Sequence, residues 1–255
     1  MLRFLKHPLT RDLDIDDPRT TALRKQIIKE KPFLRRIYED WYSWIASNIP
    51  KGEGGILELG SGAGFLDDYI PGLITTEVFF CPYVRMIMDG CVMPFRDSSL
   101  KAIVMVDVFH HIPDSRLFLN EAVRCVSSGG KILMIEPWVT TWSCFVYKYL
   151  HHEPFDPQAN QWNFSSSRPL SGANSALPWI VFERDRTIFE NFYNQLIIED
   201  IIVEMPFRYL LSGGVSLRSF MPNLFYGVWN SIEHLFSPWN DKIGMFGKII
   251  LRNNE

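Results

Sequence analysis

The chain has 255 residues, 47% of them hydrophobic, and a formal net charge of −3, enough for one large α/β domain with its own core or one domain carrying a sizeable insertion. Basic and acidic residues are mixed along its length, so no broad electropositive field exists to hold phosphate backbones, and nucleic acid is excluded as an expected partner. The four cysteines, Cys81, Cys91, Cys125 and Cys144, lie far apart without a C-x-x-C pair, so neither a zinc site nor a disulfide framework is expected and no metal is assigned.

The N-terminus, MLRFLKHPLTRDLDIDDPR, is broken by Pro8 and by charges, unlike the apolar core of a signal peptide, and a cytoplasmic location is expected. Residues 19 to 47 set Leu23, Ile27, Leu34, Ile37, Trp41 and Ile45 at helical spacing with Pro32 as a break, which predicts two helices lying against the domain. GILELGSGAGF then reads as a first strand turning tightly into a helix. Further strands are predicted at 73–80, 84–89, 102–109 and 131–137, with a helix over 115–126 between the last two. Strands alternating with helices imply a parallel sheet with right-handed crossovers. Between Glu77 and Val84 too little chain remains for a full crossover helix, so a turn is expected there.

From Trp138 to Asp185 regular periodicity dissolves into a segment rich in aromatics, Ser, Asn and Pro, longer than ordinary connections and read as part of a substrate lid. A helix at 186–195, a strand at 196–206 and a final strand at 247–252 follow, with a glycine-broken loop and an apolar helix between the two strands. No stretch reaches the roughly 18 uninterrupted apolar residues of a spanning helix. The segment from Phe220 to Phe236 pairs Phe, Leu and Trp with few charges, as a membrane-touching surface would, but lacks the Lys and Arg face of an interfacial helix.

The strongest chemical signal is Glu58-Leu59-Gly60-Ser61-Gly62-Ala63-Gly64 after the apolar run Gly55 to Leu57. Glycines permit a sharp turn and close approach of a ligand to backbone amides, and a following helix would present unpaired N–H groups to an anion. A dinucleotide fingerprint needs a glycine where Phe65 stands, and an acid before the first glycine would repel pyrophosphate. Glu58 instead suits a ligand with an ammonium beside a carboxylate.

LELGSGAG resembles the first motif of the class I S-adenosylmethionine-dependent methyltransferases, especially the group labelled methyltransferase type 11, and the resemblance spans roughly residues 54 to 137. It implies a doubly wound, mostly parallel, seven-stranded Rossmann-like sheet in the order 3-2-1-4-5-7-6 with the last strand antiparallel, and S-adenosyl-L-methionine as cofactor. Glu77 matches the acid that accepts from both ribose hydroxyls. Asp89 and Gly90, in DGCVMPF, match the adenine-reading stretch, although Asp-Gly is also a common turn signal. Val106 and Asp107 begin VDVFHHIPD, similar to the stretch near the transferred methyl group, with Lys101-Ala102 where the family usually has Phe-Asp. The implied cofactor contacts are therefore Glu58, Gly60, Ser61, Gly62, Gly64, Glu77, Asp89, Gly90, Val106 and Asp107. His110 and His111 are candidates for a general base, having a pKa near working pH, beside the alternative that they are structural; His151, His152 and Glu153 are further candidates.

This reading makes residues 1–255 a single methyltransferase domain, with N-terminal helices in 1–50, a cofactor-binding half in 51–137 and substrate-side insertions at 138–185 and 207–243. The reaction implied is methyl transfer to a small or medium-sized, partly apolar molecule. Aromatics concentrated in the two insertions, among them Trp138, Trp142, Phe155, Trp162, Phe225 and Trp229, point either to a ring-bearing substrate or to a second small core. Two rival readings stay open, a nicotinamide-dependent oxidoreductase and a catalytically silent methyltransferase-like binding protein.

Overall fold

The computed structural model describes residues 5–14, 17–151, 153–165 and 172–254; His152 lies outside them. Seven strands form one sheet: β1 (Gly55–Leu59), β2 (Ile74–Glu77), β3 (Met86–Ile87), β4 (Leu100–Val106), β5 (Val126–Pro137), β6 (Leu196–Glu204) and β7 (Phe246–Asn253). Their order is β3-β2-β1-β4-β5-β7-β6. Strands β1 to β5 pair in parallel, whereas β7 runs antiparallel to both β5 and β6. The order and the reversed last strand are those the motif resemblance implies.

Strand periodicity divides the core. Successive side chains alternate across the sheet, so Leu57, Leu59, Ile103, Met105, Ile132 and Met134 enter one buried cluster, while Ile56, Ala102, Val104, Leu133 and Ile135 enter the other. The first cluster is closed by α3 (Ser115–Cys125), through Phe118, Leu119 and Ala122, and by Phe182 and Phe189. Asp114 starts α3 by accepting from the amides of Arg116 and Leu117. On the opposite face lies α2 (Pro32–Asn48), whose Phe33, Ile37, Trp41 and Ile45 recur every four residues and bury one stripe. Pro32 sits in its first turn and separates it from α1 (Pro18–Glu30).

Several expected elements come out shorter. The helix expected after the glycine bend is a single 3₁₀ turn, Leu66–Asp68. Only Phe65 to Leu73 connect the bend to β2, Pro71-Gly72 ends any helix there, and α2 packs its apolar stripe over Leu66, Ile70 and Leu73. Strand β2 stops at Glu77, β3 keeps two of its six expected residues, and turns connect them. Strand β4 ends at Val106 because Asp107 turns into the left-handed region (φ 62°), and a 3₁₀ turn, Phe109–His111, follows. The helix expected at 186–195 is shorter, α6 (Arg186–Phe192).

The segment 138–185, expected to lack periodicity, contains α4 (Thr141–Tyr149), the short turn α5 (Leu177–Trp179) and a π-helical turn at Ile180–Arg184. A local device hidden from periodicity starts α4: the Thr140 side chain accepts from the Ser143 amide while Ser143 Oγ accepts from the Thr140 amide at 2.7 Å. Many of the segment's aromatics are core. Trp138 and Trp162 are buried with α3, and Tyr147 with α2.

Beyond β6 the chain forms α7 (Arg208–Ser212) and α8 (Tyr226–Phe236). Glu233 of α8 is buried, its Oε1 accepting from the amides of Phe207 (2.8 Å) and Arg208 (2.7 Å) and its Oε2 from Arg208 Nε. The Arg208 guanidinium also reaches Tyr226 Oη and Asp40 Oδ2 of α2. The opposite face of α8 leaves Val228, Leu235 and Phe236 exposed, and none of residues 220–236 lines the cleft described below. Among the described residues no helix is long and apolar enough to cross a membrane.

Glu233→Ala removes the acceptor from a buried guanidinium and from two amides. It is expected to lower unfolding free energy by about 3–5 kcal/mol, read as a reduced midpoint in urea; a change within ~0.5 kcal/mol would show that the cluster carries no stability.

Candidate active site

The carboxyl ends of β1, β2, β3 and β4 open on one cleft of about 560 Å³, the position at which open α/β sheets bind ligands. All ten residues expected to hold the cofactor line it: Glu58, Gly60, Ser61, Gly62, Gly64, Glu77, Asp89, Gly90, Val106 and Asp107.

The glycine bend is fastened to β2. Ser61 donates its amide to the Thr76 carbonyl (2.8 Å), Thr76 returns its own amide to Ser61 Oγ (3.0 Å), and Thr76 Oγ1 donates to the Glu58 carbonyl (2.7 Å). Gly60 has φ 62°, and a Cβ there would stand 2.5 Å from a Val108 methyl, so only glycine lets the bend pack against the β4 turn. Bend amides are largely used within the protein: Gly64 donates to Ser61 O, Phe65 to Tyr42 Oη, and Gly62 to the Glu77 carboxylate. With a single 3₁₀ turn following, the expected cradle of free helix-end N–H groups for an anion is not built.

The cation on this cleft comes instead from α1. Among the described lining residues Arg24 is the only Lys or Arg and stands beside Thr21 and Ile28, while Lys25 Nζ clamps the Gly64 carbonyl at 2.9 Å. Sequence reading took α1 as packing alone. The helical spacing of its apolar residues said which face is buried but not that the next face meets the glycine bend.

Above the cleft, Val215 and Ser216 close the wall. They are held by the buried Lys31 ammonium, which donates to the carbonyls of Gly214 and Leu217, and by the N-terminal segment, where His7 donates to Ser216 O and Leu5 O accepts from Arg218. Burial pushes Lys31 down to about 7.

Acidic residues dominate the floor. Burial pushes Glu58 up to about 7; Ser61 pulls the other way, and the charges of Asp67 and Glu77 add to the rise. Glu77 is raised too, by burial, although it accepts from the Val78 amide at 3.2 Å. Asp89 is exposed and caps its own turn by accepting from the Cys91 amide at 2.8 Å, so the Asp-Gly turn forms and the residue still faces the cleft. Asp107 keeps some surface open to the cleft but is otherwise enclosed by protein, and burial pushes its carboxyl up to about 7 against the pull of His110.

The two histidine candidates part company. His110 is fully buried and does not line the cleft; its Nδ1 meets Glu136 Oε2 at 2.7 Å. Burial would lower its pKa, but the Glu136 and Glu153 carboxylates hold it well above the ordinary value. His111 lines the cleft, with Nδ1 3.1 Å from the Gly172 carbonyl. Burial and the neighbouring His110 push it down to about 4. His151 and Glu153 line the same end, and burial of Glu153 is outweighed by His110, which holds its carboxyl well below the usual range.

Glu136 was not foreseen as part of this site. It is fully buried and also accepts from the amides of Val108 (2.8 Å) and Phe109 (2.6 Å), so one carboxylate fixes the whole turn after β4. The only sequence signal was an acid inside the apolar run KILMIEP. None of the aromatics emphasised in the two insertions lines the cleft; its aromatic walls are Tyr38, Tyr42, Phe79 and Tyr209.

Residues 57–134, which carry most of this floor, match a family model described as a methyltransferase domain. A search of curated proteins finds no match. Among solved structures the chain is similar to geranyl diphosphate C-methyltransferase from Streptomyces coelicolor A3(2) in complex with Mg²⁺, geranyl-S-thiolodiphosphate and S-adenosyl-L-homocysteine, at 13% identity and TM-score 0.52 over 86% of this chain and 77% of that one. It is also similar to a chain of the complex between the Haloferax volcanii Trm112 methyltransferase activator and a methyltransferase, at 11% identity and TM-score 0.51 over 95% of this chain and 100% of that one. At such identities the likeness is one of fold. Residues 57–134 thus match a methyltransferase domain, and the sheet they belong to has the class I fold of S-adenosylmethionine-dependent methyltransferases.

Glu136→Ala would strip an acceptor from His110 and from two amides at once. The expected cost is about 3 kcal/mol or more of folding stability, measured by urea unfolding; an unchanged midpoint would mean that the turn is held by packing alone.

Proposed function

We propose that this chain transfers the methyl group of S-adenosyl-L-methionine to a small, partly apolar molecule. The observation that carries this reading is the convergence of Glu58, Glu77, Asp89 and the glycine bend on one cleft, which also contains Asp107, His111 and Glu153. The residues fit the cofactor's charge: a buried carboxylate held up near pH 7 is stabilised by an arriving ammonium. A cleft of this volume lies in the range of small-molecule sites.

Glu58 takes the ammonium group and Arg24 the carboxylate, in place of the helix N-terminus that this chain lacks. Glu77 accepts from the paired ribose hydroxyls, and Asp89 with Gly90 bounds the adenine. When bound, the cofactor supplies an activated methyl on a sulfonium sulfur, already joined to a good leaving group, so the protein contributes alignment and exclusion of water. The wall of Ile28, Val108, Ile112, Val215 and Tyr209 receives the acceptor's apolar part. Asp107, with a pKa near 7, suits a proton acceptor at working pH better than His111, which burial keeps neutral. The four free cysteines fit a reducing, cytoplasmic setting. A nicotinamide oxidoreductase is disfavoured by Phe65 at the position of the third fingerprint glycine.

Calorimetry with S-adenosylmethionine is expected to give micromolar affinity, weakened about tenfold or more by Glu77→Ala and likewise by Arg24→Ala, from lost charge-assisted hydrogen bonds. NADH should give no heat. Tight NADH binding without an adenosylmethionine signal would reverse the assignment, and a methyl-transfer screen separates the enzyme from a silent binder.

The pH dependence has a definite sign. The free protein holds a proton on Glu58 below about 7, and the ammonium requires that proton to leave. Affinity should therefore fall by up to about tenfold per pH unit as pH drops below ~7, and Glu58→Gln should remove most of that slope. A flat wild-type profile would contradict the ammonium contact.

A further inference from the structure

At the acceptor end of the cleft, three ligand-type atoms face one another: His110 Nε2, His111 Nε2 and the Glu153 carboxylate, all within 4.8 Å. His110 Nε2 stands 3.4 Å from Glu153 Oε2, and His111 Nε2 3.9 Å from Glu153 Oε1. Zinc bonds of about 2.0–2.2 Å in tetrahedral array put neighbouring ligand atoms roughly 3.3–3.6 Å apart, so small side-chain adjustments bring the three around one ion.

Both rings are held in the required orientation. The Gly172 carbonyl can only accept, so His111 Nδ1 carries the proton and Nε2 keeps its lone pair. Glu136 Oε2 accepts from His110 Nδ1 at 2.7 Å, which turns Nε2 toward the cluster. A buried carboxylate behind a histidine is the arrangement that orients metal-bound imidazoles and raises their basicity. In front, His110 Nε2 is fully buried and faces the cluster, with Glu153 Oε2 as its neighbour at 3.4 Å.

We propose that His110, His111 and Glu153 bind a divalent transition-metal ion, zinc by ligand type, at the acceptor end of the cleft. Two imidazoles and one carboxylate make three protein ligands and leave a fourth position for a water or a substrate atom. That position faces the cleft, because His111 and Glu153 line it while His110 closes the back. The ion's chemistry follows, and this part rests on the function proposed above. An acceptor hydroxyl or thiol bound at the open position loses its proton more easily, to Asp107 or to water. Its lone pair then forms the bond to the methyl carbon as the methyl–sulfur bond breaks, and that electron pair leaves with S-adenosylhomocysteine. No oxidant or reductant is needed.

The full chain, stripped with a chelator and dialysed, is titrated with Co²⁺ and read by visible d–d absorption, and with Zn²⁺ by calorimetry. One ion per chain is expected. His111→Ala and Glu153→Gln should each weaken Zn²⁺ binding by about a hundredfold, and Glu136→Gln, whose side chain stands behind His110 and would not touch the ion, by ten- to a hundredfold. His234→Ala, on the exposed part of α8, should bind Zn²⁺ as the wild type does. Circular dichroism and adenosylmethionine calorimetry on each variant establish that the fold and the cofactor half persist. Failure of the folded wild type to take up Co²⁺ or Zn²⁺, or unchanged uptake in both His111→Ala and Glu153→Gln, overturns the metal site. Uptake without adenosylmethionine binding overturns the functional reading alone, and adenosylmethionine binding without uptake overturns the metal site alone.

Discussion

A cleft lined by the buried carboxyls of Glu58, Glu77 and Asp107, with Arg24 as the only Lys or Arg among the described lining residues, is short of positive charge. Carboxylates withdrawn from water cost several kcal/mol each unless paired, and the elevated pKa values of Glu58, Glu77 and Asp107 record that cost. Such a site favours ligands that bring positive charge. The proposed cofactor carries an ammonium and a sulfonium, and the proposed ion meets the opposite end. One imbalance thus links the two halves of the cleft.

The scaffold meets this cost through fixed hydrogen bonds. Glu136 places the turn after β4 by accepting from two amides and one imidazole, and the Ser61–Thr76 exchange places the glycine bend. Asp107 sits between these devices with φ 62°, an unfavourable backbone state for a non-glycine residue. Strain of this kind persists where surrounding contacts over-determine it, and here it aims a carboxyl into the cleft.

Missing crossover helices explain the role of the N-terminus. With only a 3₁₀ turn between β1 and β2 and turns between β2 and β3, that side of the sheet lacks its usual local cover. The apolar stripe of α2 covers it, and α1 follows across the mouth of the cleft, carrying Arg24 and Lys25 to the glycine bend. A segment that reads as peripheral packing is therefore part of the site.

The seven strands and the two N-terminal helices were legible because each is written locally, as an apolar run or a proline break, while the strand order and the ten residues that line one cleft came from motifs at fixed spacing that resemble a known family. The sequence also named both His110 and His111, but could not tell them apart, since adjacent residues in a 3₁₀ turn point in different directions and only packing decides which ring is buried. Glu136 and Arg24, which the sequence did not single out, approach the site from β5 and α1, and Glu153, named only as one candidate among several, from the segment after α4, separations over which periodicity carries no information. The apolar pattern likewise could not show that the insertion's aromatics fill the core instead of facing a ligand, because burial against protein and burial against substrate favour the same side chains. Local sequence determined the strands and the glycine bend, because apolar runs and glycines act on their own backbone; the tertiary fold decided which charges meet.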